Sequence, residues 1–184
     1  SSIIGLADLW LFKINSTNGT IIWEHTYGGT NYEVPQKMIQ TADGGFALSG
    51  QTFSSDFNFI GTNYGNGDAF ILKADSTGVF QWAQTFGGSG SDLGKGLTRL
   101  SDGTFVYGIS TQSNNGDMAG NHGSWDAWII NTDSSGAILW RRVIGGSDAD
   151  LVEYVVDAGN NEFWIFGNTS SINGDVPAVL NHGS

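Results

Sequence analysis

The stretch Asp68-Ala69-Phe70-Ile71-Leu72-Lys73-Ala74-Asp75-Ser76-Thr77-Gly78-Val79-Phe80-Gln81-Trp82 decides the fold, because its landmarks recur at a fixed period. Asp8-Leu9-Trp10, Asp68-Ala69-Phe70 and Asp126-Ala127-Trp128 lie 60 and 58 residues apart. Trp23, Trp82 and Trp140 follow at spacings of 59 and 58, and Phe46, Phe105 and Phe163 recur at the same intervals. Gly28-Gly29, Gly87-Gly88 and Gly145-Gly146 keep the register, each trailed by an acid: Glu33, Asp92 or Asp150. Asn63-Tyr64-Gly65, Asn121-His122-Gly123 and Asn181-His182-Gly183 complete it. Three tandem repeats follow, spanning residues 1–65, 66–124 and 125–184.

Each repeat reads as four short strands. In the middle copy, Ala69–Lys73 is an apolar run closed by the turn Asp75-Ser76-Thr77-Gly78. Val79–Phe86 follows and is broken by Gly87-Gly88; Leu97–Leu100 forms a third segment, and Thr104–Ile109 a fourth. Between the last two, Asp102-Gly103 is a hairpin signal, with glycine expected to supply the positive φ of a primed turn. Residues 112–125 form a polar loop to the next repeat. No window sustains helical periodicity. The expected fold is all-β and propeller-like: three four-stranded antiparallel blades of about 59 residues, stacked face to face as a partial propeller with Trp and Phe between them.

Composition bounds the function. Aromatics reach 12% and charged residues only 14%, the reverse of a disordered chain, and 28 glycines suit many turns. Cys is absent, which removes disulfides and thiolate metal sites. The net charge of −11, with Arg141-Arg142 as the only adjacent basic pair, argues against nucleic acid and anionic membranes. No apolar run is long enough for a membrane-spanning helix. The opening Ser1-Ser2-Ile3-Ile4 lacks Met and a leader, which points to a processed product or an excerpt of a longer polypeptide.

Taken in order, Asp68–Lys73, Ser76-Thr77-Gly78 and Thr85-Phe86-Gly87-Gly88-Ser89-Gly90-Ser91-Asp92 resemble the bacterial β-propeller repeat called SBBP. Ser54-Ser55-Asp56-Phe57 resembles that family's inter-blade segment. Thr41–Phe46 and the Asn-Gly-Asp…Asn-His-Gly loop are similar to the version found in secreted Bacteroidetes proteins. The resemblance covers the whole chain and implies a propeller within a secreted or cell-surface bacterial protein. The third repeat departs from it, with Asn160-Asn161-Glu162 in place of the Asp-Gly turn. Three blades are also too few to close a ring. Asp75–Trp82 is similar to the Gly-to-Trp docking motif of quinoprotein propellers, implying that Trp23, Trp82 and Trp140 lock neighbouring blades together.

Candidate sites divide into repeated and loop residues. Asp8, Asp68 and Asp126 recur in every unit, as structural groups do, and are expected to accept backbone N–H groups where a strand begins. Asn115, Asp117 and Asn121, with Asp175 in the third repeat, concentrate oxygens beside glycines. Ca²⁺ ligation is one reading and plain Asx-turn chemistry the other, since no EF-hand spacing is present. His25, His122 and His182 lack partners at ligand spacing. There is no Gly-x-Ser-x-Gly elbow, and Gly87-Gly88-Ser89-Gly90 lacks the Lys and helix of a phosphate loop.

The expectation is a non-enzymatic structural or interaction module presenting polar inter-blade loops, with other blades or other chains as partners. One alternative is a multivalent glycan-binding propeller using loop aromatics such as Tyr64 and Trp125. A less favoured one is the non-catalytic part of a larger propeller enzyme.

Overall fold

The computed structural model describes residues 3–59 and 63–176, so Asn181 and His182 lie outside the described residues. Its elements are strands β1 (Leu9–Ile14), β2 (Ile21–Tyr27), β3 (Glu33–Gln40), β4 (Phe46–Thr52), β5 (Asp68–Ala74), β6 (Phe80–Phe86), β7 (Asp92–Arg99), β8 (Phe105–Thr111), β9 (Asp126–Thr132), β10 (Ile138–Ile144), β11 (Asp150–Gly159) and β12 (Glu162–Thr169). Single 3₁₀ turns occur at Phe57–Phe59 and Gly116–Met118, and the described residues contain no α-helix. The chain is all-β and every pairing between named strands is antiparallel.

The sheets are out of phase with the sequence repeats. β3-β4-β5-β6 and β7-β8-β9-β10 are four-stranded meanders, flanked by the two-stranded sheets β1-β2 and β11-β12. Each complete sheet therefore joins the last two strands of one repeat to the first two of the next. β4 pairs with β5 from Phe46↔Ala74 to Thr52↔Asp68, and β8 with β9 from Phe105↔Thr132 to Thr111↔Asp126. The described strands thus form two full sheets and two halves rather than one four-stranded blade per repeat. The cause lies in the connections. The Gly-Gly turns carry the chain on to a new sheet, whereas the long polar loops return it antiparallel to the same one.

Stacking explains the composition of the strands. β5 and β9 are buried along their whole length, apolar on both faces, because each sheet has a neighbour on either side. One interlayer core sets Leu9 and Leu11 against Phe70 and Leu72; the next sets Ala69 and Ile71 against Trp128 and Ile130. β7 packs on β3, β4 and β5, and β11 packs on β7, β8 and β9. That close approach accounts for the glycines of β7: a Cβ at Gly94 would sit 2.7 Å from the Gly50 carbonyl oxygen. It also explains why the apolar pattern marks only residues 97–100, although the strand begins at Asp92.

Two hairpins differ from their expected form. At Asp102-Gly103 only the glycine has positive φ, at 94°, and Gly103 N–H donates to Leu100 O at 3.0 Å. This is a three-residue loop with a type I turn, not a two-residue primed turn, and Asp102 Oδ1 stabilises it by accepting Thr104 N–H at 2.9 Å. The primed geometry appears instead in the third repeat. There Asn160 and Asn161, with φ of 55° and 59°, join β11 to β12.

Candidate functional site

The recurring acids converge at one end of the sheets, around the Gly-Gly turns. Asp92 accepts Gly88 N–H at 2.9 Å, Ser113 Oγ–H at 2.8 Å and the Thr111 hydroxyl. Asp150 repeats this with Gly146 N–H at 2.7 Å, Ser171 Oγ–H at 2.7 Å and Thr169. Glu33 does so with Gly29 N–H at 3.1 Å and Thr52 Oγ1–H at 2.8 Å. In each copy the threonine ends the strand opposite the acid, so the sheet register itself brings the two together: Asp92↔Thr111, Asp150↔Thr169 and Glu33↔Thr52.

Asp8, Asp68 and Asp126 form the other half of this end. One carboxylate oxygen of each accepts the backbone N–H four residues before it: Ile4 at 2.6 Å, Tyr64 at 3.1 Å and His122 at 2.6 Å. The Tyr64 and His122 positions thus share a backbone role, while the His122 ring sits half-exposed with Nδ1 3.1 Å from Asp126 Oδ2. Asp68 and Asp126 are fully buried, and their Oδ1 atoms have no hydrogen-bond donor. Those oxygens press on Gly87 and Gly145, where a Cβ would collide with the carboxylate, and that contact explains the first glycine of each pair. Burial pushes the Asp68 carboxyl up to about 6 and also raises Asp92 and Asp126.

The loop residues staple these turns. Asn115 Oδ1 accepts Ser89 N–H at 2.8 Å, and Asp117 N–H donates to Gly87 O at 2.9 Å. Asn173 and Asp175 repeat the pair one unit later, on Ser147 N–H at 2.9 Å and on Gly145 O at 3.0 Å. Asn121 closes an Asx-turn onto Gly123 N–H at 2.9 Å and donates to Thr111 O at 3.1 Å. Asn115, Asp117 and Asn121 therefore share one loop, while Asp175 lies in the corresponding loop of the next unit. Among the described residues no group of three or more His, Asp or Glu is placed to hold a metal ion.

Trp23 packs beneath the Gly78 turn of the next sheet, and Trp82 beneath the Gly136 turn of the sheet after that. His25 Nε2, 3.0 Å from Thr77 O, and the Tyr27 hydroxyl, which donates to Gly78 O, reinforce the first contact. Trp140 stacks on Phe163 at 6.2 Å and remains exposed.

The opposite end of the sheets holds a cleft of about 530 Å³ between hairpin turns, whose charged and amide-bearing lining residues are Asp43, Lys73, Gln81, Arg99, Asp102 and Asp133. Lys73, within an apolar run, gave no sequence signal of this role. Its buried ammonium donates to Asp43 Oδ2 at 2.9 Å, Ala74 O at 2.9 Å and Gln81 Oε1 at 3.0 Å. Those bonds use its three protons.

Fold and site together define an all-β protein of stacked antiparallel sheets whose repeated acids are structural anchors. Neither a protein-family model nor a curated protein matches the chain.

Proposed function

We propose that the chain is a run of consecutive β-propeller blades, akin to SBBP repeats, serving as a non-catalytic interaction module of a bacterial secreted or surface protein. The observation that carries this reading is the triplicated anchor at the Gly-Gly end. A reactive group is needed once, whereas Asp92, Asp150 and Glu33 repeat one hydrogen-bonding role in three places. The anchors hold the inter-blade loops rigid, and rigid polar loops bind with less ordering cost than flexible ones. Their exposed residues, Tyr64, Asn114 and His122, form the proposed contact surface.

The glycan reading has less support, because most recurring aromatics pack between sheets and Trp125 is partly buried. Arrays of glycans and of extracellular matrix peptides, probed with the chain, test both readings. The proposal expects binding that Tyr64→Ala or His122→Ala weakens and the turn-end variant Asp43→Ala leaves intact. Turnover of a substrate by the chain, abolished by Asp68→Asn, would overturn it.

A further inference from the structure

We infer that the cleft at the hairpin-turn end is a second binding site, and that it takes a basic α-amino acid, a small ligand with one carboxylate and two cationic groups. The cleft is built between the two complete sheets. Asp43, Lys73 and Gln81 belong to one wall, from β3–β6 and their turns; Arg99 of β7 and the turns holding Asp102 and Asp133 form the other. At about 530 Å³ it falls in the range of about 300–1,000 Å³ usual for small-molecule sites.

Departure from the repeat singles this cleft out. Strand register fixes which residues share a position: Lys13, Lys73 and Asn131 face Trp23, Trp82 and Trp140 across their hairpins. Gln81, one residue before Trp82, therefore has Ile22 and Leu139 as its counterparts. Arg99 faces Phe105, where Gln40 faces Phe46 and Asp157 faces Phe163. The anchors at the Gly-Gly end recur in every copy, as structural groups do. Gln81 and Arg99 occur once, and both line this cleft.

Lys73 builds the wall rather than meeting a ligand. Its side chain is 6% exposed, its three protons go to Asp43, Ala74 O and Gln81, and Asp43 cancels its charge. Arg99 is different. A Cβ on Gly103 would sit 3.2 Å from Arg99 Nη2, so the guanidinium lies over a residue of the cleft lining. Among the described residues it has no hydrogen-bond or ion-pair partner.

Two carboxylates complete the site. Asp102 Oδ1 accepts Thr104 N–H at 2.9 Å and its hydroxyl at 2.8 Å; Asp133 Oδ1 accepts the Ser135 hydroxyl at 2.6 Å and its N–H at 2.8 Å. Those bonds keep both acids ionised and leave Oδ2 of each for a further donor. With Lys73 and Asp43 cancelling, the cleft presents one guanidinium with unused donors and two carboxylates. A guanidinium forks onto a carboxylate. Asp102, close enough to feel the Arg99 charge, takes the ammonium on the same carbon. Asp133 takes the cation at the end of the ligand's side chain. The net charge of −11 on the chain favours a ligand of net positive charge.

Isothermal titration of the chain with L-lysine tests this. We expect saturable binding with a Kd below about 1 mM. L-norleucine, which lacks the second cation, should bind about tenfold more weakly, and L-glutamate should not bind. Arg99→Gln, the residue type that the first repeat carries at this position, should weaken L-lysine by more than about tenfold with β-sheet circular dichroism retained. Asp133→Asn keeps the turn acceptor and should remove the preference for L-lysine over L-norleucine. Absence of saturable L-lysine binding, equal binding of L-glutamate, or binding that both variants leave unchanged overturns the inference. Tyr64→Ala and His122→Ala, at the other end of the sheets, should leave L-lysine binding intact, so failure of this site and failure of the loop surface are read separately.

Discussion

Trp82 of β6 lies against Gly136, which sits in the β9–β10 turn of the following sheet; a Cβ added there would come within 2.9 Å of indole Cζ3 and 3.0 Å of Cη2. The glycine is needed twice over, since its φ of 88° is also disfavoured for other residues. Gly136→Ala is expected to cost about 1–2 kcal/mol for the backbone alone, and more once the indole is displaced. Gly159→Ala, at a φ of 79° with open space around its Cβ, is the control. Urea denaturation should show the larger loss at Gly136, and equal losses would deny the docking role of Trp82.

The acid network predicts an unusual pH profile. Asp68 is raised above its unfolded value of 3.8 to about 6, so the folded state holds this proton more tightly than the unfolded chain. Its stabilising contribution is present below the unfolded value and is lost as pH rises toward and through 6; Asp92 and Asp126 act in the same sense. The turn carboxylates Asp43, Asp75, Asp102 and Asp133 oppose this. Hydrogen bonds, led by those from Thr41, Thr77, Thr104 and Ser135, hold them below their ordinary range, so they lose stability only as pH falls through it. Stability should therefore peak between the two ranges and decline toward neutrality. Asp68→Asn keeps the acceptor for Tyr64 N–H, should raise the Tm at pH 7 by about 2–4 °C per kcal/mol recovered, and should flatten the decline. A Tm that climbs steadily to pH 7 would contradict this.

Thr111 makes two contacts: its hydroxyl donates to Asp92 and accepts Ser113 N–H at 2.9 Å. Thr111→Val retains the shape and deprives Asp92 Oδ1 and Ser113 N–H of this partner, at an expected cost of about 1–3 kcal/mol. Thr111→Ser should recover most of it. Thermal or urea unfolding reads both, and a neutral valine variant would show that water replaces the hydroxyl.

Asn115 Oδ1 is occupied by Ser89 N–H. Asn115→Ala should cost about 0.5–1.5 kcal/mol through loss of that bond, with the same Tm in millimolar Ca²⁺ and in chelator. A Ca²⁺-dependent Tm abolished by the substitution would favour the ligand reading of this loop.

Much of the fold was legible because the landmarks are tied to backbone chemistry. Gly87 holds its register because that position meets an aspartate carboxylate in every copy, Asp8, Asp68 or Asp126, while Trp23 and Trp82 each meet a turn glycine one repeat on. The strand segments follow from apolar runs ended by Asx-Gly turns. The phase of the sheets was not legible, because β4 and β5 are separated by a polar loop and nothing local says that it returns to the same sheet. Lys73 escaped notice as a buried ammonium because its partners, Asp43 and Gln81, lie in other strands and turns. The loop residues Asn115 and Asp117 stood out for their oxygen-rich composition, yet composition does not reveal that Ser89 N–H and Gly87 O are their partners.

The central claim is that each four-stranded sheet is shared between two repeats. Interstrand NOEs of the uniformly labelled chain test it most directly. Cross-peaks are expected between Gly50 and Phe70 and between Ile109 and Trp128, following the β4–β5 and β8–β9 registers. Cross-peaks pairing β6 with β7 along their length, with none between β4 and β5, would contradict it.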